Sequence, residues 1–96
     1  MLYLVISNPR PEAPSDAVRR QKAFWDWFGP LRDSGVARHA YARVGRGLVA
    51  IFDVDSHEAL HALLTQWAEH VPASFQVEPL LDPAFKERIV RAAAAE

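Results

Sequence analysis

Residues 48–64, LVAIFDVDSHEALHALL, carry a strand, a helix cap and an amphipathic helix in one uninterrupted run. Leu48 to Val54 is rich in β-branched and aromatic residues and is largely apolar on both alternating faces, the pattern of a strand covered on two sides. Asp55 and Ser56 end it. Ser56 can accept a hydrogen bond from a free N–H of the first helical turn, and Glu58 suits the positive end of the helix dipole. Leu60, Leu63, Leu64 and Trp67 then recur at helical spacing as one buried stripe. Pro72 stops the helix by disfavouring helical geometry at Val71.

The segments on either side complete a simple order. Before the run, Val36 to Val44 alternates as a strand, and Gly45-Arg46-Gly47 makes a tight hairpin turn that pairs Val44 with Leu48. Leu2 to Ser7 is another strand with two apolar faces, and the prolines of the loop from Asn8 to Pro14 oppose regular pairing. Ser15 is the expected cap of a helix reaching Ser34, in which Ala17, Phe24, Phe28 and Leu31 keep a 3.6-residue beat. Gly29-Pro30 is its expected kink and Gly35 its left-handed C-terminal position. After the run, Phe75 to Leu80 is the last strand. Asp82-Pro83 caps and opens a C-terminal helix with Phe85 and Ile89 on one face.

Strand, helix, strand, strand, helix, strand with right-handed crossovers is the α+β ferredoxin-like sandwich, a four-stranded antiparallel sheet with two helices on one face. Residues 1–96 read as a single such domain, with 82–96 as a helical tail. The first and third strands belong at the centre, which suits their double-sided hydrophobicity, and the fourth belongs at an edge, where Pro79 is tolerated. The sheet's other face is then left bare. Soluble monomers avoid such a patch, so a second subunit is expected to cover it, giving a dimeric α/β barrel that encloses a cavity.

Composition removes several function classes. A net charge of −1 with mixed signs offers no electrostatic case for nucleic acid or an anionic membrane. Without cysteine there is no disulfide, thiolate ligand or cysteine nucleophile. No apolar run approaches the ~20 residues of a membrane span, and Met1 opens into a strand instead of a secretion signal, so the chain reads as soluble and cytoplasmic. Serine elbow, phosphate-cradling glycine loop and dinucleotide fingerprint are all missing.

With those elements in place, Ile51–Leu64 (IFDVDSHEALHALL), the preceding Val44-Gly45-Arg46 and the later Val77-Glu78-Pro79-Leu80 resemble the muconolactone isomerase family, over most of residues 36–83. The resemblance implies cofactor-free oligomers of ferredoxin-like subunits that shift a proton along an unsaturated lactone in aromatic-compound catabolism. It also implies that the last helix can swap onto a neighbour. Phe24-Trp25-Asp26-Trp27-Phe28 and Pro30 depart from the family pattern and reshape the cavity wall.

Strand parity selects the chemistry-bearing groups independently of that resemblance. His39, Tyr41 and Arg43 share one face of the second strand, while Ala40, Ala42 and Val44 suit packing under helices. Val49, Ile51 and Asp53 fall on the same side as His39, and Gln76 and Glu78 oppose the inward Phe75 and Val77. A proton shift beside a lactone carbonyl needs a base, an acid to return the proton and a positive group for the developing anion. His39 or Glu78 can be the base, Tyr41 the donor to the carbonyl oxygen, and Arg43 the two-pronged carboxylate holder. Ile51, Gln76 and Trp27 complete the expected substrate contacts. The plainer readings make these residues rim or interface contacts, with Asp53 bracing the Asp55-Ser56 cap or holding Arg43.

His57-Glu58-Ala59-Leu60-His61 satisfies the HExxH zinc pattern by spacing. The buried stripe centres near Leu60 and Trp67, however, so Glu58 points away from the core, His61 lies on the flank and no third ligand is at hand. A solvated helix face is the reading adopted, with no metal. The sequence thus points to a cofactor-independent isomerase acting on a small unsaturated lactone or acid. A cofactor-free oxygenase or cyclase on the same barrel, and a non-catalytic small-ligand-binding or assembly module, stand beside it.

Overall fold

The computed structural model describes residues 1–95 and orders them as β1 (Leu2–Pro9), α1 (Pro14–Ser34), β2 (Ala37–Ala42), β3 (Leu48–Asp53), α2 (His57–His70), β4 (Ala73–Leu80) and α3 (Pro83–Ala94). The strands form one antiparallel sheet in the order β2-β3-β1-β4, so β1 and β3 are central and Pro79 sits on an edge strand, as the sequence pattern demands.

Helices α1 and α2 cover one face and seal the core there. Tyr3 and Val5 from β1, Leu48, Ala50 and Phe52 from β3, Phe24 and Phe28 from α1, and Leu60 and Trp67 from α2 are buried together. Aromatic rings dominate the contact: Phe28 meets Phe52 edge-on at 6.3 Å, and Trp67 lies 5.2 Å from Phe24 and 5.1 Å from Phe75. The buried Ser7 side chain is satisfied by the Leu48 backbone, accepting from its N–H at 2.8 Å and donating to its carbonyl at 3.3 Å.

The caps divide. Ser56 accepts from the Ala59 N–H at 3.0 Å, and Asp82 accepts from the Ala84 N–H at 2.8 Å ahead of Pro83. Gly35 ends α1 at φ +85°, where its N–H reaches the Arg32 carbonyl. Ser15 is not a cap. Helix α1 begins one residue earlier, at Pro14, after an Ala13 that supplies no side-chain hydrogen bond. The fixed φ of proline suits the first helical position, so a serine one step later is already inside the helix. Pro30 also lies within α1, whose helical assignment continues to Ser34.

Two further corrections concern strand limits. Residue pairing continues through Asn8 and Pro9, opposite Ser74 and Ala73, where a loop was expected. At the hairpin, Ala42 pairs with Leu48 and the Arg43 N–H reaches the Gly47 carbonyl, so the strand stops at Ala42, and Val44, expected under the helices, is fully exposed. That register differs from the expected one by two residues. An even shift preserves the faces, because side chains alternate with period two. A β-bulge lies between Ala37 and His39, and Arg38 is the extra residue. It lets Ala37 pair with Phe52 in the core while His39 stays on the opposite face.

Helix α3 has no buried residue and leaves Phe85 and Ile89 about half exposed on its apolar stripe. The described chain is accordingly elongated, 60 Å by 25 Å by 21 Å.

Candidate functional site

The face of the sheet turned away from α1 and α2 is read from the strand registers. Two rows cross all four strands: His39, Ile51, Leu4 and Glu78 form one, and Tyr41, Val49, Ile6 and Gln76 form the next. Leu2 and Leu80 lie beyond the first row, beside Asp53. The middle of this face is therefore apolar, made by Leu4, Ile6, Val49 and Ile51, all partly buried by their neighbours. Its margins are polar: imidazole and phenol on the β2 edge, carboxylate and amide on the β4 edge. His39, Tyr41, Gln76 and Glu78 are all exposed, Tyr41 at 71%.

Strand spacing sets the reach of these groups. His39 and Glu78 are separated by three inter-strand steps, about 14 Å at the usual spacing. His39 and Tyr41 are two residues apart on one strand, about 7 Å. A molecule the size of a lactone can touch the His39-Tyr41 pair or the Glu78-Gln76 pair of one protomer, but not both.

The remaining candidates lie elsewhere. The Arg43 guanidinium spans the hairpin to the end of β1, donating to the Ser7 carbonyl at 2.9 Å and to Asn8 Oδ1 at 2.8 Å. It passes close to Gly47, which has φ +104°; a Cβ built there would lie 2.6 Å from the Ser7 carbonyl oxygen and 3.2 Å from Arg43 Cδ. Trp27 lies between the two helices, where its indole N–H donates to Gln66 Oε1 at 2.8 Å and its ring sits 5.6 Å from His70. That places it on the far side of the sheet from His39. Asp53 braces the β2 edge, 3.6 Å from Arg38 Nε and 3.3 Å from the Met1 amino group, and not through Arg43.

A polar surface groove of about 430 Å³ follows the outer edge of β2, lined by Arg32, Asp33, Arg38, His39 and Tyr41. A second concavity of about 210 Å³ opens on the helix side of the hairpin, between Phe24, Trp25 and Trp67 and the guanidinium-bearing turn. The sequence pattern treats Phe24 and Trp67 as core only. The signals for a cavity there are Trp25, which the 3.6-residue beat leaves outside the buried stripe, and Arg46 between two glycines.

His57 Nδ1 is hydrogen-bonded with the Tyr3 hydroxyl, Glu58 and His61 are exposed, and among the described residues no three His, Cys, Asp or Glu side chains converge. No helix among them is long and apolar enough to cross a membrane.

A family model described as Domain of unknown function (DUF3303) matches residues 1–94, nearly the whole of the fold just described. The chain belongs to the DUF3303 family. No curated protein matches the sequence. Among solved structures, muconolactone isomerase superposes on this DUF3303 chain with a TM-score of 0.68 and 26% identity, covering 85% of this chain and 90% of the other. A 5-chloro-2-hydroxyhydroquinone dehydrochlorinase (TftG) from Burkholderia phenoliruptrix AC1100, solved in complex with 2,5-dihydroxybenzoquinone, superposes with a TM-score of 0.66 and 18% identity. That match covers 84% of this chain and 94% of the other. The family likeness read from residues 36–83 is therefore shared by the fold: this DUF3303 chain has the architecture of muconolactone isomerase.

Proposed function

We propose that the chain is a cofactor-independent isomerase that moves a proton on a small unsaturated lactone or acid, at the open sheet face of a homodimer. The observation that carries this reading is the pair of rows on that face, which border an apolar floor with a base and a hydroxyl donor on one edge and a carboxylate on the other. The likeness to muconolactone isomerase supports the reaction type, and the dehydrochlorinase shares the fold.

In the proposed step His39 removes a proton from the carbon next to the conjugated system. The electron pair moves onto the carbonyl oxygen, where the Tyr41 hydroxyl donates a hydrogen bond to the developing anion. The same imidazolium returns the proton to the far carbon, so no net proton is gained or lost. Leu4, Ile6, Val49 and Ile51 hold the carbon skeleton and exclude water once covered. Glu78 joins the same substrate only if a second copy brings its β4 edge to the first copy's β2 edge, which is the arrangement proposed here. Arg43 and Trp27, fixed by contacts of their own, are assigned supporting roles at the hairpin and between the helices.

Incubation of the purified protein with muconolactone, followed by the change in ultraviolet absorbance as the double bond leaves conjugation with the lactone carbonyl, tests the reading. Turnover is expected to fall about 10²–10⁴-fold in His39→Ala, the usual contribution of a positioned general base. Smaller losses are expected in Tyr41→Phe and Glu78→Gln. Saturable binding of muconolactone without turnover would replace the enzyme by a ligand-binding module. Oxygen uptake with an aromatic substrate would replace it by an oxygenase.

A further inference from the structure

The concavity on the helix side of the hairpin belongs neither to the open face nor to the isomerase reading. Its floor and walls are apolar and aromatic: Leu48 and Trp67 are buried, Phe24 is 5% exposed, and Trp25, at 43%, stands at the mouth. Its volume of about 210 Å³ exceeds the ~150 Å³ with which an apolar protein cavity can hold benzene, so one ring and a small substituent fit.

Charge at this mouth is all of one sign. Arg43 and Arg46 both line it, and no aspartate or glutamate does. The hydrogen-bond partners of the two guanidiniums are neutral: Arg43 donates to the Ser7 carbonyl and Asn8 Oδ1, and Arg46 Nη1 donates to the Arg10 carbonyl at 2.6 Å. Neither forms an ion pair among the described residues. Arg46 Nε is moreover buried with no acceptor. Buried N–H donors are normally satisfied, and an unpaired one on a cation is costly, so the Arg46 guanidinium is left with unused donor capacity beside the mouth.

The hairpin is built to hold these groups still. Gly45 and Gly47 take positive φ values, and Gly47 lies against the Ser7 carbonyl with no room for a side chain, so the turn is pinned to the end of β1. A guanidinium fork held in place matches the two oxygens of a carboxylate.

We propose that this cavity binds a small planar carboxylate, an aromatic or conjugated acid whose ring packs against Phe24, Trp25 and Trp67 and whose carboxylate meets Arg46 and Arg43. The site is separate from His39 and Tyr41, which lie on the opposite face of the sheet.

Benzoate is the probe, titrated calorimetrically into the full chain, with benzamide as its neutral counterpart. One benzoate is expected per chain, and benzamide is expected to bind at least tenfold more weakly. Arg46→Met removes the charge and the orphaned donor, and Gln21→Glu places an anion in the lining; each is expected to weaken benzoate at least tenfold with an unchanged circular dichroism spectrum. Equal binding of benzamide, parental affinity in either variant, or no benzoate binding by the parent would overturn the site. His39→Ala separates the two proposals. It is expected to bind benzoate as the parent does while losing turnover of muconolactone, and loss of benzoate affinity in that variant would move the acid to the open face and overturn the cavity site alone.

Discussion

The two faces of one sheet are finished in opposite ways. On the helix side, Val5, Ala50 and Phe52 are essentially inaccessible and meet a wall of aromatic rings from α1 and α2. On the other, Leu4 and Ile51 are immediate neighbours of those residues along the same strands, yet are only partly buried, and neither α1 nor α2 lies over them. The contrast separates what folds the chain from what the chain offers to something else. One face is complete within a protomer; the other is apolar at its centre and polar at its margins, a surface that calls for a cover.

The sharpest way to break that comparison is to truncate neighbours that point in opposite directions. Phe52→Ala removes a ring packed against Phe28 and Trp67 and is expected to destabilise the fold by about 3–5 kcal/mol, read by chemical denaturation, whatever the protein concentration. Ile51→Ala, one residue away, is expected to cost less in a dilute sample and progressively more as concentration rises, because its face is covered only in the proposed dimer and association favours the folded state by mass action. A concentration-independent loss at Ile51 would show that the open face needs no second copy.

Next in size is the hairpin that joins the edge strand to the centre. Gly47→Ala puts a Cβ against the Ser7 carbonyl and an L-residue at φ +104°, and is expected to cost about 1–3 kcal/mol. Gly29→Ala is the control: beyond its chain neighbours nothing lies within 4 Å of a Cβ there, and the gain in helix propensity is opposed by the crowding that Pro30 imposes on a Cβ just before it, so that variant is expected to change stability by less than about 1 kcal/mol. Thermal melts of the pair distinguish a steric requirement at the turn from a general sensitivity to methyl groups.

The helix-covered face was the more legible of the two because burial there coincides with periodicity. The alternation of Leu48, Ala50 and Phe52 and the stripe of Leu60 and Trp67 are local patterns, and a packed core follows from them. Membership of the open face was also legible in residues 39–41 and 76–78, since the actual register at the hairpin is displaced by an even number of residues. The bulge at Arg38 was not, as both parities of the 36–44 segment carry apolar residues and only the packing of Ala37 against Phe52 requires the extra residue. The hydrogen bonds that hold Arg43 and Trp27 were hidden for a different reason. Their partners, Ser7, Asn8 and Gln66, are 35 to 39 positions away in the chain, and no local rule connects them.

The smallest expected effect tests the helical layer itself, through two serines that look alike in sequence. Each precedes an amphipathic run, yet Ser56 sits ahead of its helix with extended geometry and accepts from the Ala59 N–H, whereas Ser15 lies after Pro14, inside its helix and exposed. Ser56→Ala leaves a first-turn donor without its partner and is expected to cost about 1 kcal/mol. Ser15→Ala loses no cap and replaces serine by a better helix former, so its stability should change by less than about 0.5 kcal/mol, in the favourable direction. Parallel denaturation curves decide it: equal losses would mean that Ser15 does cap α1, and that the helix covering the β2 side of the sheet starts later than Pro14.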